Sequence, residues 1–324
     1  VIIVQTPLRI SLFGGGTDFP DYFRSEGGNV LTSAIDKYIY VIIKERFDDQ
    51  IRISYTETEV VDQVDDIGHE LIREALKMTG IKESVEIVTL GDIPAGTGLG
   101  SSSAVTVGAL HAFHSYCCQT VSMENLAREA CKIEVDILNK PIGYQDQYIA
   151  SYGGLRFFEF HKDGSVGHQE FVMDPMIFNQ LSNRLMLIYS GTTRKSETIL
   201  SEQKNNIYNN LTALSKLKEI TCEARIALTE GRLDAIGYLL HESWELKKSL
   251  AAGISNGGLE EIYHIARKSG ALGGKVTGAG GGGFLMLYCP PDKKENVISA
   301  LSHLKELPFR LEPNGSRVIF NSHR

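Results

Sequence analysis

Short apolar or β-branched clusters at Val30–Leu31, Tyr38–Ile43, Ile51–Tyr55 and Val85–Leu90 fill the first ninety residues and predict strands. An amphipathic helix is expected near Gly68–Met78. From Ser102 to Tyr116 the pattern predicts a helix packed closely on a neighbour, because Ala104, Gly108, Ala109 and Ala112 permit near approach. Another helix follows at Ser122–Leu138, with Ser122 as N-cap and Leu126, Ala130, Ile133 and Ile137 at helical spacing. A turn-rich stretch at Asn139–Gly143 leads to a strand at Leu155–Phe160 and a loop at Lys162-Asp163-Gly164.

The second half predicts a strand at Leu185–Tyr189, helices over Glu197–Thr229, Leu233–Leu250 and Leu259–Lys268, and a strand at Phe284–Tyr288. A helix near Glu295–Leu304 and a strand near Ser316–Phe320 close the chain. Helices and strands mix in both halves without regular βα alternation, so the expected class is α+β in two domains, 1–180 and 181–324. A length of 324 residues suits two domains.

Composition narrows the choices. Hydrophobic residues at 42% and charged residues at 23% are ordinary for a globular chain. A net charge of −7 argues against nucleic acid or an anionic membrane as partner, since both need a basic surface. No apolar run approaches membrane-spanning length and no signal segment is evident, so a cytoplasmic protein is expected. The five cysteines hold no C-x-x-C pair, which disfavours a disulfide framework or thiolate zinc site, and the nine histidines hold no H-E-x-x-H. Trp244 and its neighbours Glu242, Glu245, Lys247 and Lys248 read as a half-buried helix with a charged face.

Three glycine-rich segments carry the chemistry. Pro94-Ala95-Gly96-Thr97-Gly98-Leu99-Gly100-Ser101-Ser102-Ser103-Ala104 follows a predicted strand and opens a predicted helix. That context suits a phosphate cradle, in which glycines let backbone N–H groups converge on an anion and the helix start adds unpaired donors. It is neither a Walker A loop nor the dinucleotide G-x-G-x-x-G. Thr6-Pro7-Leu8-Arg9-Ile10-Ser11-Leu12-Phe13-Gly14-Gly15-Gly16-Thr17-Asp18 reads as a strand ending in glycines and an acidic residue, with Arg9 an unusual strand residue unless it meets a carboxylate or phosphate. The third, Lys275-Val276-Thr277-Gly278-Ala279-Gly280-Gly281-Gly282-Gly283, runs straight into a strand; such glycine density is entropically costly and is explained by close approach to a ligand or to the first glycine loop.

In this order the three segments resemble the motifs of the GHMP kinases, over nearly the whole chain. The resemblance implies an S5-domain-2-like N-terminal half and a ferredoxin-like C-terminal half, with the active site in the cleft between them. Arg9 and Thr17-Asp18 resemble the sugar-kinase branch, and Gly14-Gly15-Gly16-Thr17-Asp18, Gly143-Tyr144-Gln145-Asp146-Gln147 and the run from Lys275 to Gly283 look most like its heptose 7-phosphate members. The implied activity is transfer from ATP to the anomeric C1 hydroxyl of D-glycero-D-manno-heptose 7-phosphate; a fucokinase- or galactokinase-type free-sugar kinase is the alternative.

The resemblance also distributes roles. ATP would lie along Pro94, Gly96, Thr97, Gly98, Leu99, Gly100, Ser101, Ser102 and Ser103, with Mg²⁺ on Ser102 and Glu134. Asp146 would accept or orient the acceptor proton, and Arg9 would stabilise the emerging alkoxide. Tyr144 stands where a second glycine is common. Gly15, Gly16, Thr17, Asp18, Gly143, Tyr144, Gly278, Gly280 and Gly281 would border the sugar. A substrate phosphate needs a local cationic site, and Thr193, Arg194 and Lys195, between a strand and a long helix, are the candidates.

Overall fold

The computed structural model describes residues 1–192 and 196–322. The chain opens with β1 (Ile2–Phe13), a turn, α1 (Pro20–Glu26), which starts on a proline, and β2 (Gly28–Glu45). A hairpin of β3 (Ile51–Ser54) and β4 (Thr58–Val61) precedes α2 (Glu70–Thr79) and β5 (Val85–Gly91). Then come α3 (Ser101–Tyr116), α4 (Met123–Cys131), α5 (Gln145–Tyr152), β6 (Leu155–Phe160) and β7 (Val166–Glu170). Ser122 caps α4 by accepting from Asn125 N–H at 3.2 Å, as its position predicts.

The second half contains α6 (Pro175–Arg184), β8 (Leu185–Tyr189), α7 (Ser196–Asn205), α8 (Leu211–Thr229), α9 (Leu233–Lys248) and α10 (Gly257–Lys268). It ends with β9 (Gly273–Val276), β10 (Phe284–Tyr288), α11 (Lys294–Ala300), β11 (Lys305–Glu306) and β12 (Arg317–Asn321).

Among the described residues the strands form two sheets. The first has the order β12-β1-β2-β5-β3-β4, with β6 also on β2 and β7 on β6; the second is antiparallel, β11-β8-β10-β9. The long strand β2 serves two neighbours on one side: residues 28–33 pair with β6 and residues 39–45 with β5. Ala104, Gly108, Ala109 and Ala112 of α3 are buried, and the helix lies on β1 and β2. We propose that the domains divide near residue 180, as 1–180 and 181–324, with β12 crossing back to pair with β1.

Three expectations need correction. The helix expected over Ser122–Leu138 is α-helical only to Cys131 and then widens into a π-helix, Lys132–Ile137. The helix expected over Glu197–Thr229 breaks at a 3₁₀ turn, Tyr208–Asn210, where Asn205, Asn206, Asn209 and Asn210 offer the backbone competing partners. Helices α1, α5 and α6 were not expected; α1 is short, α5 buries polar and apolar residues alike and so shows no amphipathic stripe, and α6 is announced only by the cap Asp174 before Pro175.

Candidate active site

Arg9 leaves β1 with almost no exposure and meets a carboxylate. Its Nε and Nη2 donate to Asp146 Oδ1 and Oδ2 at 2.8 and 2.7 Å, and its Nη1 donates to Gly98 O at 2.6 Å. Arg9 N–H also bonds Leu99 O at 2.9 Å. Strand β1, the middle glycine loop and the start of α5 are thereby tied at one point.

Two clefts meet at this pair, since Arg9, Asp146, Gly278 and Ala279 line both. The larger holds Pro94, Gly96, Gly98, Gly100, Ser101, Ser102, Ser103 and Glu134. Thr97 and Leu99 are different: Leu99 turns into the core, and Thr97 is buried with its hydroxyl on Pro94 O. The far end is apolar, lined by Ile39, Leu71, Leu90 and Ile93 with Tyr55 and His69. These residues come from separate strands and a helix and were not legible as a group.

The third glycine run is explained by close approach. A β-carbon on Gly278, whose φ is +65°, would lie 2.7 Å from Gly98 Cα; one on Gly98, whose φ is +82°, would lie 2.6 Å from Thr277 O. The two loops therefore interlock through bare backbone, as the glycine density predicts. Gly278 lines both clefts, whereas Gly280 and Gly281 pack on Ile254 instead.

Glu134 lies in the π-helix and is fully buried. Its Oε2 accepts from Ser103 Oγ at 3.0 Å, and its Oε1 has no partner among the described residues. Burial pushes its carboxyl up to about 7; the Ser103 hydroxyl bond and the Lys140 charge oppose the shift, and Asp146 adds to it. A buried carboxylate oxygen left open beside Ser102 and Ser103 is a fitting cation ligand. Among the described residues no cluster of three or more His, Cys, Asp or Glu could hold a metal alone. The set suits Mg²⁺, which binds through one or two carboxylates together with substrate phosphates.

The smaller cleft holds Ser11, Gly15, Gly16, Asp18, Gly143, Gln145, Gln203 and Lys247. Asp18 Oδ1 accepts from Gly16 N–H at 2.9 Å and Oδ2 from Gln145 N–H at 3.2 Å, so the acidic turn braces the segment that carries Asp146. Burial raises the Asp18 carboxyl, opposed by those amides. Gly143 packs so tightly that a β-carbon there would lie 2.0 Å from Asp18 Oδ2. Thr17 does not face the cleft: its hydroxyl bonds Gly14 O, Asn29 O and Asn29 N–H. Tyr144 sets its ring edge-on to Phe23, turned into a neighbouring aromatic cluster.

Thr193, Arg194 and Lys195 lie outside the described residues. Lys247, read from sequence as part of the charged face of a half-buried helix and assigned no role, is 5% exposed and lines the smaller cleft. The signal was available: Leu233, Ile236, Leu240, Trp244 and Lys247 follow one helical stripe, and a lysine in an apolar stripe asks for a partner.

Residues 68–154 match the family described as GHMP kinases N terminal domain, and residues 224–306 match GHMP kinases C terminal. A D-glycero-alpha-D-manno-heptose 7-phosphate kinase of Campylobacter jejuni is 32% identical over 93% of each chain. The chain belongs to the GHMP kinase family. GHMP kinases use ATP as phosphate donor, and the two interlocked glycine loops fall one in each of the matched segments. A crystal structure of a D-glycero-D-manno-heptose 1-phosphate kinase from Bacteroides thetaiotaomicron superposes with a TM-score of 0.84 at 26% identity, covering 100% of both chains. One of a sugar kinase from Campylobacter jejuni gives 0.80 at 30% identity over 98% of this chain and 97% of that one. Among the described residues no helix is long and apolar enough to cross a membrane.

Proposed function

We propose that this GHMP kinase transfers the γ-phosphoryl group of ATP to the anomeric C1 hydroxyl of D-glycero-D-manno-heptose 7-phosphate, giving the 1,7-bisphosphate. The observation that carries the reading is the Arg9–Asp146 pair at the junction of the two clefts, one lined by a serine-rich helix start and the other by polar side chains. Similarity to the heptose kinases above supports the substrate.

The triphosphate lies along Gly96–Ser103, with the purine at the apolar end near Tyr55, Leu71 and Ile93. Mg²⁺ held by Ser102 and Glu134 would neutralise charge on the triphosphate. Asp146 orients the C1 hydroxyl for in-line attack. As the C1 oxygen bonds the γ-phosphorus, the bond from that phosphorus to the β,γ-bridging oxygen breaks and ADP leaves. The hydroxyl proton passes to Asp146 once transfer is advanced, because a carboxylate is a weak base toward an alcohol. Arg9 stabilises the oxygen's developing charge.

The test is Mg·ATP turnover of D-glycero-D-manno-heptose 7-phosphate, the unphosphorylated heptose, L-fucose and D-galactose, with the new phosphate located by NMR. Phosphate at C1 of the 7-phosphate is expected. Turnover of a free sugar alone would transfer the assignment to the free-sugar kinases.

A further inference from the structure

The smaller cleft, which Asp146 also lines, contains polar groups with no part in the transfer step. Lys247 Nζ reaches the cleft from α9 and donates to Gly278 O at 3.0 Å, one bond for a group with three donors. Ser11 Oγ and Gln145 Oε1 are buried and have no partner among the described residues. All three side chains converge: a β-carbon on Gly15 would lie 3.4 Å from Ser11 Oγ, 3.5 Å from Gln145 Nε2 and 3.7 Å from Lys247 Nζ. Buried polar groups are nearly always paired, so their convergence on one point of a cleft marks a place for a polar ligand.

Charge selects the ligand's chemistry. Burial pushes the Lys247 ammonium down to about 8; Asp18 and Asp146 support it and Arg9 opposes it. Lys275 also faces it and is itself held well below the ordinary lysine range by burial. With Asp18 buried in the same cleft, an anion is disfavoured there, whereas a hydroxyl suits both signs. It can accept from Lys247 or Gln145 Nε2 and donate to Ser11 Oγ or Asp18. A bare structural brace is a poor account of Lys247, because one carbonyl does not offset the burial of an ammonium.

We infer that Lys247, with Ser11 and Gln145, forms a specificity-determining clasp for neutral hydroxyls of the acceptor beside the reacting one, so that the acceptor's phosphate lies outside this subsite. This rests on the proposal that the smaller cleft takes the sugar. The clasp acts on the acceptor and leaves the nucleotide untouched.

The test compares wild type, Lys247→Met, Lys247→Arg and Ser11→Ala on the sugar that wild type turns over best and on its monodeoxy analogues. Thermal melting and ATP titration report the fold. Lys247→Met is expected to lower kcat/KM for the sugar about 10- to 100-fold while the KM for ATP changes less than about threefold. One deoxy analogue that costs wild type about tenfold or more should cost Lys247→Met almost nothing further. Ser11→Ala should give a smaller loss of the same kind. Sugar kcat/KM within threefold of wild type in Lys247→Met, or equal penalties for every analogue in both proteins, overturns the inference. A best sugar other than the heptose 7-phosphate overturns only the substrate assignment, because the coupling is then read on that sugar.

Discussion

Arg9 holds both carboxylate oxygens of Asp146 and the carbonyl of Gly98 at the same time. Only a planar fork of donors does this; a lysine offers a point charge on a flexible stem. Arg9→Lys is therefore expected to fold but to lose about 10²- to 10³-fold in kcat. Steady-state kinetics beside a thermal melt checks it, and a loss below fivefold would show that the fork is dispensable.

Glu134 keeps its shape but loses its charge as Glu134→Gln. The metal concentration giving half-maximal rate should rise about tenfold or more, and kcat should fall. Stability without metal should hold or increase, because a buried carboxylate with one open oxygen is replaced by a neutral amide. Metal titrations and metal-free melting curves separate the two effects.

Gly278→Ala places a methyl group 2.7 Å from Gly98 Cα at a φ of +65°. The two glycine loops must part, so a stability loss of about 1–3 kcal/mol is expected together with a KM for ATP raised roughly tenfold. Denaturant unfolding and nucleotide kinetics measure these; an unchanged KM for ATP would mean that the loop contact does not shape the cradle.

Burial of the Lys247 ammonium couples stability to pH. Its pKa in the folded state is about 8 against an ordinary 10.5. Below pH 8 both states carry the proton, and the folded state bears the full cost of the buried charge. Between pH 8 and 10.5 the unfolded state binds more protons, so the cost fades as pH rises. Lys247→Met should be more stable than wild type at pH 7, the gap narrowing toward pH 10.5. If the ammonium binds the sugar, the wild-type KM for sugar should climb above about pH 8 while the KM for ATP stays flat. Stability curves at several pH values, with matched kinetics, test both.

Much of this site was legible in the sequence because its residues break local rules. A strand arginine needed an anion and met Asp146; a glutamate on an apolar stripe was buried; glycine density without a linker's context marked two interlocking loops. Lys247 broke the same rule on α9, but Glu242 and Glu245 are exposed on that helix and the charged cluster masked the stripe. Thr17 and Tyr144 sit in site motifs yet turn to the backbone and to Phe23, a choice of direction that spacing does not encode. The apolar end of the larger cleft joins residues from Ile39 to Ile93 through sheet pairing and helix packing, and no local pattern announces it.

Single-turnover kinetics of Asp146→Ala, with ATP binding measured in parallel, decides whether one carboxylate at the junction of the clefts sets up phosphoryl transfer. The transfer step is expected to slow about 10²- to 10⁴-fold with ATP affinity within a few-fold of wild type. Transfer within tenfold of wild type would contradict it.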